Sequence, residues 1–199
     1  MSLNLYIGPM FAGKTSAAIR LVNTYIRRGE PYICITTTLD TRYNKNGGTI
    51  VSHDGESHTA IQVSNLLDIV RHESNKHLLE SLSAAKYVVI EEANFFPDLK
   101  QFVQYAVEVL DKHVTCIGLD GDYRREPFGE ILSLIPLCDS VTKFKAICAK
   151  CSKPDISSSP NNAIFTHRIT KETTQTLVGG ASKYEPLCRY HYNIADLYE

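Results

Sequence analysis

At 199 residues, 43% hydrophobic and 22% charged, the chain has the length and composition of one globular domain with room for a small appendage. A formal net charge of −1 excludes bulk electrostatic attraction to nucleic acid or to an anionic membrane. No apolar run approaches the ~20 residues of a membrane-spanning helix, and MSLNLYIGPM lacks the basic region and apolar stretch of a secretory signal, so the expected location is the cytoplasm.

Residues 3–7 (LNLYI) read as a short buried strand. Beyond a glycine-containing loop, Ala18, Leu21, Val22 and Tyr25 recur at helical spacing within 14–28. GEP at 29–31 closes that helix, and the β-branched, apolar 32–36 (YICIT) predicts a second buried strand. Residues 39–58 are polar, contain Gly47, Gly48 and Gly55, and read as a mobile loop. A weaker helical pattern spans 63–82. YVVI at 87–90 predicts a strand, and 97–110 a helix opened by Pro97 with an apolar face at 99, 102, 103, 106, 107 and 110. Residues 114–121 (VTCIGLDG) predict a further strand, and 127–139 a short helix and turn. Apolar strands without strict alternation, interleaved with helices, indicate an α/β fold with a parallel sheet flanked by helices on both faces.

After about residue 141 the composition changes. VTKFKAICAKC leads into the turn-rich SKPDISSSPNN, and AIFTHRIT and TTQTLVGG read as the two strands of a hairpin before the closing CRYH. A segment this short needs a staple in place of an independent core.

GPMFAGKT at 8–15 matches G-x-x-x-x-G-K-[ST] between a predicted strand and a predicted helix. In such a loop backbone N–H groups wrap the phosphates of a nucleotide, Lys14 reaches the β- and γ-phosphates, and the Thr15 hydroxyl binds Mg²⁺. Gly8, Met10, Phe11, Ala12, Gly13, Lys14 and Thr15 are therefore the expected ATP-binding residues. The loop calls for an acidic partner at a neighbouring strand end, and YVVIEE supplies Glu91 and Glu92. Burying unpaired carboxylates is costly, so the pair needs a use. Adjacent strand residues point to opposite sides, so one can face a metal while the other faces a second substrate. The combination fits an ATPase or a small-molecule kinase, and the modest chain length favours the kinase.

Six cysteines divide into two groups. Cys34, Cys116 and Cys138 lie singly in or beside apolar runs, as free thiols. Cys148-x₂-Cys151 and Cys188-x₂-His191 are two ligand pairs that suit a closed, structural Zn²⁺ site. The expected organisation is a nucleotide-binding domain over 1–141, a zinc-binding domain over 142–193 and a tail over 194–199.

GPMFAGK, EEANFFPD, LDGDYRREPFG and a C-x₂-C…C-x₂-H ribbon enclosing VGGASKY occur in that order. The set resembles the type II thymidine kinases, the cytosolic and viral kind with a zinc ribbon, from Leu5 to His191. The resemblance implies a RecA-like P-loop domain plus a zinc-binding lasso, and transfer of the ATP γ-phosphoryl group to the 5′-hydroxyl of thymidine with Mg²⁺. Glu92 would be the general base, with Glu91 and Thr15 on the metal side. Met10, Leu119 and Tyr123 would enclose thymine, with Phe96 and Phe128 as walls. Val178, Gly179 and Gly180 of the lasso would read the base edge through backbone groups, Tyr184 would reach the deoxyribose, and Thr166 and Arg42 match further family positions. A homotetramer, feedback inhibition by dTTP and use of deoxyuridine are also implied.

Four features depart from the family pattern, in which D-E-x-Q-F-F follows the strand and Phe occupies the position of Tyr123; one is GKTS, which inverts the more common Ser-Thr order while Thr15 still provides the Mg²⁺ hydroxyl. In the others Glu91 stands for Asp, Asn94 for Gln, and Tyr123 for Phe. Glu91 and Asn94 leave room for a catalytically silent nucleotide binder. A nucleic-acid-binding zinc-ribbon ATPase is a further alternative, disfavoured by the lack of a basic stripe.

Overall fold

The computed structural model describes residues 1–39, 48–52, 54–71, 75–151 and 162–195. The apolar runs form the centre of a six-stranded, wholly parallel sheet. Its strands are β1 (Ser2–Ile7), β2 (Tyr32–Thr37), β5 (Ile61–Val63), β6 (Tyr87–Ile90), β7 (His113–Gly118) and β8 (Ser140–Lys143), in the order β5-β2-β6-β7-β1-β8. Ile7 is level with Gly118, and Ile35 with Ile90. The loops leaving β1, β6 and β7 therefore emerge together at the carboxyl edge, where open α/β sheets bind ligands.

Helices cover both faces. Ala18, Ile19, Val22 and Tyr25 of α1 (Lys14–Arg28) pack on Cys34, Val89 and Ile117. On the other face Leu3, Leu5, Ile35, Val88, Ile90 and Val114 meet Leu82 of α3 (Lys76–Ala84) and Leu99, Phe102 and Val103 of α4 (Leu99–Gln104). Residue parity along β1 decides which core each side chain joins.

Several elements differ from the sequence expectation. The 63–82 pattern divides into the end of β5, α2 (Asp68–Arg71) and α3, because the Asp98 carboxylate accepts hydrogen bonds from Leu66 N (3.1 Å) and Leu67 N (2.8 Å) and fixes a turn there. The 97–110 helix is α-helical only to Gln104 and continues as a π-turn over Tyr105–Val109. Residues 131–137 form a 3₁₀ helix containing Pro136. Within 39–58, β3 (Thr49–Val51) and β4 (Ser57–Thr59) pair as a hairpin, while 40–47 and 53 lie outside the described residues. An exposed edge strand, β8, straddles residue 141.

The C-terminal segment has little core. β9 (Ala146–Ile147) pairs with β10 (Asn162–Ala163), β11 (Phe165–Arg168) pairs with β12 (Tyr184–Leu187), and α5 (Arg189–Ala195) follows. TTQTLVGG is not a strand. β11 takes 184–187 as its partner, and 173–180 runs as irregular backbone. Its threonines favour strand, but β11 pairs with Tyr184–Leu187 instead, and pairing outweighs propensity.

Candidate functional site

The glycine loop leaves β1 and turns into α1 against the C-terminal segment. Gly8 has φ 147°, and a Cβ there would sit 2.5 Å from the Phe144 carbonyl oxygen, so only glycine allows this approach. Met10 N donates to Thr166 Oγ1 at 3.0 Å, and Phe11 and Ala12 pack against the buried cluster of Ala146, Cys148, Ala163, Leu187 and Tyr192. Lys14 Nζ donates to Pro9 O at 2.7 Å. Phe11 holds φ 63°, a left-handed conformation costly for a residue with a side chain.

Glu91 stays in register beyond β6, its N–H donating to Ile35 O at 2.9 Å, and its side chain is only 4% exposed. The Thr15 hydroxyl donates to Glu91 Oε1 at 2.5 Å, which joins the glycine loop to the strand end. Glu92 leaves the strand at φ 54° and opens a 3₁₀ turn over Ala93–Phe95. The backbone reversal at Glu92 replaces strand alternation, so both carboxylates line one cavity. Cys34 lies near Glu91. Burial, and then the Glu91 charge, push its thiol up to about 12.

That cavity is about 440 Å³. One wall is Met10, Phe11, Ala12, Gly13, Lys14 and Thr15. Glu91 and Glu92 stand beside it. Leu119, Tyr123, Phe128 and Phe95 give an apolar middle, Thr166 stands beside Met10, and Val178, Gly179 and Tyr184 complete the lining. Gly8 lies behind the loop, outside the lining. Phe96, expected as a wall, is 1% exposed and part of the main core. The 3₁₀ turn sends it inward and brings Phe95 to the cavity, where it meets Phe128 edge-on at 5.2 Å. Ala181 lines the cavity where Gly180 was expected. A Cβ on Gly180 would meet only open space, so close approach does not explain that glycine. Arg42 lies outside the described residues.

Asn94 is 2% exposed and outside the lining. Its Oδ1 accepts the Leu119 N–H at 2.8 Å, in space left by Gly118, where a Cβ would be 2.6 Å from that oxygen. The residue fixes the Leu119 backbone, and its buried Nδ2 has no hydrogen-bond partner among the described residues.

The lining contains residues that motif reading missed. Asp122 is 4% exposed; its Oδ1 accepts Arg124 N (2.8 Å) and Glu126 N (3.0 Å), and its Oδ2 accepts Gln175 Nε2 (3.0 Å). Arg168, 3% exposed, donates to three carbonyls of the following loop and lies over the Tyr123 ring at 3.8 Å. The signal available in the sequence was a charged residue inside the otherwise strand-like AIFTHRIT. Val51 and Asp54 of the β3–β4 hairpin also reach the cavity.

Cys148, Cys151, Cys188 and His191 bring their ligand atoms within 4.8 Å of one another. The sulfurs of Cys148, Cys151 and Cys188 lie 3.5, 3.4 and 3.3 Å from His191 Nδ1, and Cys151 and Cys188 are 3.9 Å apart. Tetrahedral Zn²⁺, with bonds of ~2.3 Å to sulfur and ~2.0–2.1 Å to nitrogen, sets sulfur–sulfur edges near ~3.8 Å and sulfur–nitrogen edges near ~3.5 Å. The donor set fits Zn²⁺ through Nδ1 of His191. Against the effect of burial, backbone N–H groups of Cys188 and Lys150 lower the Cys148 thiol to about 7. Burial and the neighbouring thiols push Cys151 up to about 12. Such a cluster ionises fully only around a cation. Among the described residues no helix is long and apolar enough to cross a membrane.

The model of the family "Thymidine kinase" matches residues 1–192. A thymidine kinase of Oryza sativa subsp. japonica is 38% identical over 191 residues, covering 96% of this chain and 65% of the rice protein. Thymidine kinase a of Arabidopsis thaliana is 35% identical, covering 96% of this chain and 74% of its own length. The thymidine kinase of vaccinia virus (strain Ankara) is 34% identical over 190 residues and 96% of both chains.

Proposed function

This chain belongs to the thymidine kinase family, and we propose that it transfers the γ-phosphoryl group of ATP to the 5′-hydroxyl of thymidine, giving thymidine monophosphate. The observation that carries this reading is the composition of the cavity. A phosphate-binding loop, two carboxylates, an apolar slot and a loop wall share one space of about 440 Å³, a size suited to a small-molecule site.

In this reading Gly13, Lys14 and the start of α1 hold the triphosphate, with Lys14 leaving Pro9 O for the β- and γ-oxygens. The Thr15 hydroxyl and Glu91 carboxylate, already hydrogen-bonded, are a donor set that fits Mg²⁺. When bound, Mg²⁺ neutralises charge on the β- and γ-phosphates. Glu92 accepts the 5′-hydroxyl proton as that oxygen bonds to the γ-phosphorus, the bond from phosphorus to the β–γ bridging oxygen breaks and ADP leaves. Met10, Leu119, Tyr123 and Phe128 position the pyrimidine and exclude water, while Thr166, Val178, Gly179 and Tyr184 hold its edge and the sugar. Residues 1–141 supply the phosphate chemistry and 142–193 the lasso that Zn²⁺ keeps in shape.

Deoxyuridine as a weaker acceptor, dTTP as a feedback inhibitor, a homotetrameric assembly and a cytoplasmic location complete the proposal. The test is product formation by chromatography with ATP, Mg²⁺ and each natural deoxynucleoside plus deoxyuridine. Thymidine monophosphate should appear fastest, deoxyuridine monophosphate more slowly, and purine products not at all. ATP binding without transfer to any nucleoside would overturn it.

A further inference from the structure

Residues 170–179 form no backbone–backbone hydrogen bond with any described residue, and 171–176 are exposed. A stretch with no ladder has to satisfy its polar groups in another way. Seven consecutive carbonyls do so through side chains. Arg168 donates to Glu172 O (2.7 Å), Thr174 O (2.6 Å) and Gln175 O (3.1 Å). Tyr123 Oη donates to Thr173 O (2.9 Å), Thr174 Oγ1 to Thr176 O (3.3 Å), Tyr184 Oη to Leu177 O (2.8 Å) and Lys183 Nζ to Val178 O (3.1 Å).

Arg168 is the centre of this row. It serves three of the seven carbonyls, and its Nη2 also donates to Tyr184 Oη at 2.8 Å, the hydroxyl that holds Leu177 O. Its guanidinium lies 3.8 Å from the Tyr123 ring centroid and 5.3 Å from that of Tyr184. Among the described residues no carboxylate pairs with it within 4.0 Å. A charge buried to 3% exposure is thus met by carbonyl dipoles and two aromatic faces.

We propose that Arg168 is a positioning residue for nucleoside recognition: its planar guanidinium gathers the 172–175 carbonyls and presets the loop wall formed by Leu177, Val178 and Gly179. The Tyr123 hydroxyl, absent where Phe occupies this position, adds one more attachment between that loop and the apolar slot. This rests on the reading of the cavity as the nucleoside site. Without Arg168 the loop samples other shapes, and apparent affinity falls with the population of the competent one.

The test uses the zinc-loaded, full-length protein and the variants Arg168→Met and Arg168→Lys. Amide hydrogen exchange at Ile169, Lys183 and Tyr184, the hydrogen-bonded N–H groups at the base of the loop, read without substrate, should quicken roughly tenfold or more in Arg168→Met while β6 and β7 stay protected, and thymidine KM should rise several-fold as the competent population falls. The ATP KM, the zinc content and kcat at saturating thymidine should stay within about twofold of wild type. Lysine keeps the charge without the fork, so Arg168→Lys should fall between the two. Guanidinium ion added to Arg168→Met should lower the raised KM. Unchanged loop exchange in Arg168→Met, or in Arg168→Lys if the methionine variant does not fold, overturns the proposal. Wild-type protein inert toward thymidine would instead overturn the nucleoside reading, while the exchange result still decides the role of Arg168 in the loop.

Discussion

The sheet and the C-terminal segment solve the same problem by different means. The sheet orders the phosphate loop and the carboxylates by burial. A continuous core from Leu3 to Leu134 packs under β1, β6 and β7, and Ile35, Ile90, Leu99 and Phe102 are fully buried. The C-terminal segment has a small cluster around Ala146, Ala163, Leu187 and Tyr192, a Cys/His group whose geometry fits a metal, and a loop held carbonyl by carbonyl. Burial gives strength that is spread over many residues. Point attachments give a defined shape that a single substitution can release. The two regions meet where Met10 N bonds Thr166 and Phe11 packs into the C-terminal cluster, so the phosphate loop is shaped from both sides.

In the proposed function the sheet side carries the chemistry and the apolar slot, and the lasso holds the base edge and the sugar. The strongest test of this division is Glu92→Gln. The amide keeps the shape and the left-handed backbone but cannot take a proton, so kcat should fall by ~10²–10⁴-fold, the usual scale for a positioned base. Thymidine binding measured by calorimetry should change little. Turnover close to wild type would remove Glu92 from the role of base and blur the division.

Substituting the sheet's core should weaken the protein without altering recognition. Phe102 is fully buried, and Phe102→Ala should cost about 3–5 kcal/mol of unfolding free energy. Below the lowered melting temperature its thymidine KM should match wild type. A raised KM at a temperature where the variant is fully folded would show that the sheet's packing reaches the lasso.

Cys188→Ser attacks the other region. Losing one of four ligands releases an end of the lasso, and re-ordering even one or two residues on binding costs about 1–2 kcal/mol each, so thymidine KM should rise roughly tenfold. Zinc content by metal analysis should fall, and the sheet's unfolding transition should persist. Zinc lost with KM unchanged would mean that the metal does not shape the binding wall.

The same contrast explains what was legible in the sequence. The strands at 3–7, 32–36 and 87–90, the glycine loop, the Glu91–Glu92 pair and the Cys/His pairs are local patterns whose physics is contained in their spacing. Phe95 and Phe96 exchange places because a single left-handed residue, Glu92, rotates everything after it, and no residue type announced that reversal. TTQTLVGG carries strand-forming threonines but lost its partner to Tyr184–Leu187, a choice made between distant segments. Arg168 was invisible to motif reading for the same reason. Its partners are carbonyls, which every residue has, so nothing in 172–175 signals that they converge on one guanidinium.

The smallest expected effect is the response to mild acid, and it separates the regions by titration. His58 and His113 both belong to the sheet side, in β4 and β7. Burial lowers the pKa of each, and for His113 the nearby N-terminal ammonium and Lys86 lower it further. The neutral rings are held in place, His58 Nε2 at 3.1 Å from Tyr32 Oη and His113 Nδ1 at 2.9 Å from Ser2 Oγ. Folded pKa values below the unfolded value of about 6.5 mean that the unfolded chain binds more protons in that window. The stability these histidines contribute is present above about pH 6.5 and is lost as pH falls through their folded values. Melting temperature should therefore decline modestly from pH 7.5 to 5.5, and His58→Gln with His113→Gln should flatten that decline. Metal content at each pH provides the control, since protonation of the thiolates releases zinc by a separate route. A decline that survives both substitutions with zinc retained would take the histidines out of the account and assign the acid response to carboxylates of the sheet.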